Sequence, residues 1–330
     1  MKKKLCLLLL ALSLIVVLVQ QIGWTSVMNS VAQLTLVDLV WLGLLQLLTL
    51  TATAKAWHLL LLRQGAQCRF SLVLACQLAG QWVESLTPSS KLGGEAARVY
   101  LLKKHSTMSY SQITASMLVS KLLSLIPFLL ICLVLLTVSL WYWSLPWLVY
   151  VSFAGLFSVV VLLCAFVIWP QTAEHLSNRW VSRPDSVLAK FLSGLSRVAS
   201  QSRQLMSEGL PVSPIILSTL VWLAYPLKVV LVAWSLGLPA PWLLISLAVF
   251  VAYLISMLPL LPGGLGSFEA GMTLILTLGG FSPAEALTIS LITRLFTFWL
   301  PLFISGLASL TFLLPKQWNK YADPLDTSRN

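Results

Sequence analysis

Residues 122–140 read LLSLIPFLLICLVLLTVSL, an apolar run that contains no charged side chain. A helix that crosses the hydrocarbon core of a bilayer needs about 20 predominantly apolar residues. With its flanks, from about Gln112 to Leu140, this stretch exceeds that length. Inside a bilayer a helix also satisfies its backbone hydrogen bonds within its own segment. The run therefore predicts a transmembrane helix.

The whole chain is also strongly apolar. Hydrophobic residues make up 58% of the 330 residues and charged residues only 9%, whereas typical soluble domains are about 25% charged. A soluble protein of this composition would expose large apolar patches and aggregate. We therefore predict an all-α, polytopic helical integral membrane protein.

The net charge of +11 does not indicate a nucleic-acid-binding protein, because the basic residues lie in short clusters between apolar runs. Lys and Arg collect in the cytoplasmic loops of membrane proteins. This rule places both termini and residues 170–211 in the cytoplasm, and the four proposed outer loops contain no Lys or Arg. Of the 21 basic residues, 16 fall in cytoplasmic segments. The others lie in apolar or broken stretches: Lys91, Arg98, Lys121, Lys228 and Arg294.

The apolar runs predict a series of helices along the chain. The long helices are expected at about 5–22, 34–54, 112–140, 147–169, 214–236 and 284–314, and shorter apolar pieces at 70–83, 242–258 and 270–279. The first run, preceded by three lysines, also resembles a signal peptide. The loose cleavage pattern Ser30-Val31-Ala32 lies far beyond its apolar core, which favours an uncleaved helix.

These spans predict one transmembrane domain, 1–314, followed by a cytoplasmic tail, 315–330. A first half (1–169) and a second half (212–314) flank the polar loop 170–211.

Within the polar loop, apolar residues recur at helical spacing between Leu188 and Leu205, opposite Lys190 and Arg197. This pattern predicts an amphipathic helix. It either lies on the inner membrane surface or is a solvated linker helix with one packed face.

Each half also contains an apolar piece too short to span that runs into proline and glycine, at residues 84–98 and again at 259–269. Basic residues at both ends of the first piece favour a re-entrant hairpin over two spans. The predicted topology makes the two hairpins enter from opposite sides, which is the pattern of an inverted repeat. Broken helices are tolerated in a membrane where protein covers them or a wet cavity faces them. Two such breaks favour a central polar site over kinks between packed helices.

The breaks and the charges at membrane depth supply the candidate substrate-binding residues. Prolines remove a backbone donor, glycines permit close approach, and serines cap a restarting helix whose free amides bind anions. Ionisable residues at this depth are functional candidates by default. The set comprises Pro88, Ser89, Lys91, Gly93, Gly94, Glu95, Arg98, Pro262, Gly263, Gly264, Gly266, Glu269 and Arg294.

Several of these charges leave alternatives open. Glu95 and Arg98 are three residues apart on one helix, so they either bind substrate or neutralise each other. Arg294 has no acid within one turn; its partner is expected to be Glu269, Glu84 or a ligand phosphate. Lys121 and Lys228 lie within a few turns of the inner membrane surface, where a lysine either snorkels or functions.

The segments Pro88–Arg98, Leu258–Glu269 and Arg294–Gly306, in this order, resemble the transmembrane region of the lysylphosphatidylglycerol synthase family, also called flippase-like membrane proteins. The resemblance extends from about Met1 to Leu314. It implies movement of lipids across the bacterial inner membrane, including aminoacylated phospholipids and, in some branches, hopanoids or polyprenyl-linked lipids.

Two features depart from that family. Full-length synthases carry a soluble aminoacyl-transferase domain after the membrane part, and no such domain follows before Asn330, so we expect no lysine-attaching activity. Lys121 stands where the resemblance implies an Arg preceded by Glu.

The leading interpretation is a lipid translocator for an anionic phospholipid, an aminoacylated phospholipid or another lipid phosphate. In this interpretation Arg98 and Arg294 hold phosphate, while Glu95 and Glu269 balance them or contact a cationic headgroup. The alternatives are a membrane glycosyltransferase or other transferase, and an accessory subunit.

Little in the sequence indicates catalysis. We see no acidic pair for a metal, and His58, His105 and His175 fall in segments expected to be solvated. The five cysteines show no CxxC spacing and are interpreted as packing residues. No catalytic residue, metal or cofactor is therefore predicted. The expected partner is membrane lipid, and the sequence does not identify the oligomeric state.

Overall fold

The structure, a computed structural model, describes residues 32–86, 92–168, 187–207, 209–257 and 264–312. This part of the chain is helical and contains no strand. Its elements are α1 (Leu36–Arg63), α2 (Phe70–Leu86), α3 (Leu92–Lys104), α4 (Tyr110–Tyr142), α5 (Trp147–Ile168), α6 (Val187–Ser207), α7 (Val212–Ser235), α8 (Trp242–Ser256), α9 (Ser267–Leu278), α10 (Pro283–Arg294), a π-helical turn (Leu295–Trp299) and α11 (Leu300–Phe312).

Five of these stretches are long and apolar enough to cross a membrane. They are α1, α4, residues 147–165 of α5, α7, and residues 283–309, which join α10 to α11. The prediction of a polytopic helical membrane protein is confirmed. The predicted first helix and the C-terminal tail lie outside the described residues.

Local sequence signals set several helix starts. Thr35 precedes α1 and accepts a hydrogen bond from the Asp38 amide, while the Asp38 carboxylate accepts one from the Thr35 amide at 2.9 Å. The same reciprocal capping box begins α4 and α10. Each box satisfies backbone donors that a helix terminus otherwise leaves unpaired.

The predicted end of the second helix at Ala54 is wrong, because α1 continues to Arg63. Lys55 does not end the helix, since the turns beyond it pack into the protein: Trp57, His58 and Leu61 are buried. The solvated state expected for His58 is wrong for the same reason. One ring nitrogen of His58, Nε2, lies 2.9 Å from the carbonyl oxygen of Cys68, in the turn that leads to α2.

The apolar core lies where α4, α7, α8 and α9 meet. Phe128, Trp222 and Phe250 stack with ring centroids 4.5–5.9 Å apart, and the Trp222 indole donates to the Ser124 carbonyl at 2.8 Å. Aromatic pairs of this kind add to the free energy gained by burial alone. The core therefore fixes the second hairpin against two spanning helices.

Two pairs of short helices, α2 with α3 and α8 with α9, form the broken elements that the sequence predicts. Their lengths are 17, 13, 15 and 12 residues, each short of a full span. The helices of each pair pack against one another, and α2 also packs against α11. The depth of these hairpins and their opposite entry stay predictions.

Helix α6 matches the predicted amphipathic segment. It packs against α4 and α5, buries Ala199 and Leu205, and exposes Arg197 and Arg203. One face of this helix is therefore packed, whereas its position relative to the membrane stays a prediction.

Candidate functional site

Four charged side chains from α2, α3 and α4 form what we call the first charge cluster: Glu84, Glu95, Arg98 and Lys121. Arg98 bridges the two carboxylates, donating from Nη2 to Glu84 at 3.0 Å and from Nη1 to Glu95 at 2.7 Å. Lys121 forms an ion pair with the same Glu95 oxygen. Glu95 and Arg98 thus form an ion pair, as one of their two interpretations predicts, and two further charges take part.

Burial divides the first charge cluster into an inner and an outer part. The Arg98 side chain is only 7% exposed, whereas the Lys121 side chain is 44% exposed. Two inner atoms, Oε2 of Glu95 and Nε of Arg98, are buried without a hydrogen-bond partner in the described part of the chain. A buried polar atom in this state costs free energy. The cluster therefore retains one acceptor and one donor that its own residues do not satisfy.

Two glycines bring α2 and α3 close enough for Arg98 to reach Glu84. A Cβ added at Gly94 would lie 2.5 Å from the Gly80 carbonyl oxygen and 2.6 Å from the Glu84 Cβ. A Cβ added at Gly80 would collide with the Arg98 side chain. The close approach predicted for Gly94 is confirmed. Gly80 is a second contact glycine that sequence reasoning missed, because nothing marks it inside an apolar run.

The first charge cluster borders an open groove between α3 and α4. The groove has a volume of about 550 Å³, within the range of small-molecule sites. Glu95 and Lys121 supply its charges, and Tyr100 and Tyr110 lie at its edge. The rest of its lining is mainly apolar: Ala96, Val99, Thr114, Met117 and Leu118.

The second charge cluster consists of Glu269 on α9 and Arg294 at the end of α10. Arg294 Nε donates to Glu269 Oε1 at 3.0 Å, and the other carboxylate oxygen accepts the Gly266 amide at 2.7 Å. The guanidinium also lies over the rings of Phe268 and Phe298, 4.6 Å and 4.9 Å from their centroids. Among the three partners expected for Arg294, Glu269 is the one found in this ion pair.

The second charge cluster is almost completely shielded from solvent, and we call it closed. The Glu269 side chain is 2% exposed and that of Arg294 is 7% exposed. Gly264 and Gly266 lead into α9 with φ values of +64° and +80°, which glycine adopts without strain. The π-helical turn that follows Arg294 widens the backbone at this point, a feature frequent at functional sites.

A third buried polar group, on α7, was only partly foreseen. Lys228 is 1% exposed, so snorkelling is wrong for this residue. Its Nζ donates to Gln46 Oε1 at 2.6 Å and to Thr49 Oγ1 at 3.0 Å on α1, and it lies over the Tyr225 ring. Sequence reasoning missed Gln46 and Thr49. The available signal was two polar residues three apart in an apolar helix, a pattern that pairs helices in membranes.

The predicted site residues thus separate into two groups. Glu95, Arg98 and Gly94 lie in the first hairpin; Gly264, Gly266, Glu269 and Arg294 lie at the second. The side chain of Lys121, which was not in the predicted set, completes the first charge cluster. Pro88, Ser89, Lys91, Pro262 and Gly263 lie outside the described residues, and Gly93 adjoins Gly94 at the start of α3.

The chain is similar in sequence to known membrane proteins. The family profile of the lysylphosphatidylglycerol synthase transmembrane region matches residues 5–305. A UPF0104 membrane protein of Methanothermobacter thermautotrophicus is 26% identical over 75% of this chain and 77% of its own length. A UPF0104 membrane protein of Pyrococcus horikoshii is 22% identical over 93% of this chain and 97% of its own length.

Proposed function

Because the chain belongs to the lysylphosphatidylglycerol synthase transmembrane-region family, we propose that it translocates a phospholipid between the leaflets of the cytoplasmic membrane. The carrying observation is the first charge cluster beside the open α3–α4 groove. A lipid presents a charged headgroup and apolar chains, and the groove presents charged and apolar surface side by side.

Lys121 is the residue that meets the headgroup phosphate. It is the most exposed cation of the first charge cluster and lines the groove. A charge-assisted hydrogen bond to a phosphate replaces its ion pair with Glu95, so little free energy is lost by the exchange. Arg98, almost fully buried, keeps Glu84 and Glu95 in place while this exchange occurs.

Charge balance narrows the substrate class. The first charge cluster carries two carboxylates and two cations, so it is neutral as a whole. When a phosphate binds Lys121, Glu95 keeps its ion pair with Arg98. The Oε2 atom of Glu95 still has no hydrogen-bond partner among the described residues. A headgroup that carries an amine as well as a phosphate satisfies both sites. An aminoacylated or amine-bearing phospholipid therefore fits better than a phosphate-only lipid.

The test is translocation in liposomes made with the purified protein. Fluorescent phosphatidylglycerol, its lysylated form and phosphatidylcholine are followed by chemical quenching of the outer leaflet. We expect the lysylated form, which carries amines as well as a phosphate, to move fastest. It should be recovered chemically unchanged. Lys121→Met should abolish most of the movement. Lys55→Met, a change to a basic residue outside the cluster, is the matched control.

Two outcomes would contradict the proposal. Movement that is equally fast with Lys121→Met would remove the groove from the transport path. A covalently altered lipid whose formation depends on Glu95 would instead support the alternative of a membrane transferase.

The direction of movement depends on topology, for which we propose cytoplasmic termini and a cytoplasmic polar loop. Single cysteines at Asn29, Ser144 and Pro239, in a chain without its native cysteines, should react with an impermeant maleimide from outside intact cells. One at Ser200 should react only after the membrane is opened. Labelling of Ser200 in intact cells would overturn this topology and the inverted repeat.

A further inference from the structure

A second cavity lies between α4, α5 and α6, away from the α3–α4 groove. Its volume is about 280 Å³. Five of its lining side chains are apolar: Val119, Leu122, Leu123, Ile126 and Met206. The others are Cys164, Ser207 and Arg203. Nothing in the proposed transport path uses this cavity.

The cavity lies beside the N-terminal half of α4. It is lined by the third to fifth turns of α4, about 14–24 Å from the start of that helix at 1.5 Å per residue, and by Cys164, near the end of α5. Since the short segment 143–146 joins α4 to α5, the start of one and the end of the other lie on the same side. Arg203 and Ser207 on α6 also line the cavity.

Basic side chains predominate on α6, and Glu208 directly follows this helix in the sequence. Helix α6 carries three basic residues, Lys190, Arg197 and Arg203, and no acidic residue. Arg203 is exposed, so its guanidinium is free to reach a ligand headgroup from the rim. Basic surface next to a membrane attracts anionic lipids.

We propose that this cavity holds an acyl chain of a resident anionic phospholipid, with Arg203 on the phosphate. The volume is close to the lower limit of small-molecule pockets, roughly 300 Å³, which suits part of one chain rather than a whole lipid. The apolar lining excludes a polar ligand, and the basic rim selects an anionic headgroup. The ligand is a bound, non-transported lipid.

The cavity and the transport groove share one helix, α4, which lines both. Leu118 and Lys121 line the groove, whereas Val119 and Leu122 line the cavity. At about 100° per residue these two faces of α4 point in different directions. An occupied cavity therefore packs one side of the helix whose other side carries Lys121, and it holds that lysine in register with Glu95.

The experiment uses the full-length protein in phosphatidylcholine nanodiscs that contain a small fraction of phosphatidylglycerol with a photoreactive acyl chain. Cross-linked peptides are located by mass spectrometry. We expect cross-links within residues 119–126 and at Met206. Arg203→Gln should reduce them about tenfold, the loss expected for one charge-assisted hydrogen bond.

Ile126→Trp, which fills the cavity, should reduce the same cross-links without changing headgroup contacts. The matched controls are Arg197→Gln, on the same helix outside the cavity, and Leu130→Trp, exposed one turn further along α4. Both should label like the unaltered protein.

Equal labelling in Arg203→Gln, or equal labelling by a photoreactive phosphatidylcholine, would overturn the proposal and indicate ordinary annular lipid. Lys121→Met should lose translocation but keep this labelling, so the two proposals fail separately.

Discussion

The first and second charge clusters use the same residue types, Arg and Glu, in opposite ways. In the first, Arg98 holds two carboxylates and a half-exposed Lys121 adds a fourth charge at the edge of a groove. In the second, Arg294 and Glu269 pair with each other, both nearly fully buried, under two aromatic rings. The two clusters differ in how far solvent and ligands reach their side chains, not in the types of charge they contain.

Solvent access to an ion pair determines how easily a ligand replaces one of its partners. A closed ion pair loses its hydration, so its partners depend on each other and exchange poorly with a ligand. A half-exposed pair in high dielectric contributes little to stability and can be exchanged at small cost. We therefore propose substrate contact for the first charge cluster and a structural role for the second, where Glu269 also caps the start of α9.

The largest effect is expected from breaking the second charge cluster. Arg294→Met leaves the Glu269 carboxylate buried without its cation, which should destabilise the protein by about 3–5 kcal/mol. Thermal unfolding in detergent, followed by tryptophan fluorescence, measures this. The double variant Arg294→Met/Glu269→Gln should recover most of the loss, because no unpaired charge then remains. A single variant as stable as the unaltered protein would contradict the structural role.

An intermediate effect is expected from separating α2 and α3. Gly94→Ala places a methyl group 2.5 Å from the Gly80 carbonyl, and overpacking of this kind costs about 1–3 kcal/mol. Translocation should fall more steeply than stability, because Arg98 then no longer reaches Glu84. Gly94→Leu should block movement entirely.

The control for Gly94 is Gly43→Ala. Nothing lies within 4 Å of an added Cβ there, so the change should be neutral or stabilising by up to about 1 kcal/mol, as alanine is in a helix interior. Equal behaviour of the two alanine variants would show that the close approach has no functional role.

The smallest stability effect is expected at the groove. Lys121→Met removes a half-exposed ion pair, so stability should change by less than about 1 kcal/mol, while translocation is largely lost. Arg294→Met should therefore affect mainly folding, and Lys121→Met mainly transport. A loss of stability at Lys121 as large as at Arg294 would erase the distinction.

The third polar group, at Lys228, tests how far burial alone explains these effects. Its partners are a glutamine, a threonine and an aromatic ring. Lys228→Met removes the buried cation together with its need for partners and should be nearly neutral, whereas Gln46→Leu leaves the ammonium underpaired and should cost about 1–3 kcal/mol. Unfolding measurements on the two variants decide this.

The apolar runs located the helices well, because a membrane constrains the length and composition of a spanning helix. The predicted spans at 112–140 and 214–236 differ from α4 and α7 by only one or two residues at each end. The prediction failed at Ala54, where Lys55 was taken as the end of a span. Packing of Trp57 and Leu61 against neighbouring helices extends α1 instead, and a single charge does not outweigh that burial.

The membrane class, the helices, the two broken hairpins and the charges that interrupt the apolar runs follow from the amino-acid sequence alone, because hydropathy and proline–glycine breaks are local properties. Which charges form pairs depends on the tertiary structure. Glu269 lies 25 residues from Arg294, and Gln46 lies 182 from Lys228. Such pairings depend on how helices pack, and in a bilayer every helix offers the same apolar surface. Helix packing therefore determines that the first charge cluster borders an open groove and that the second is buried.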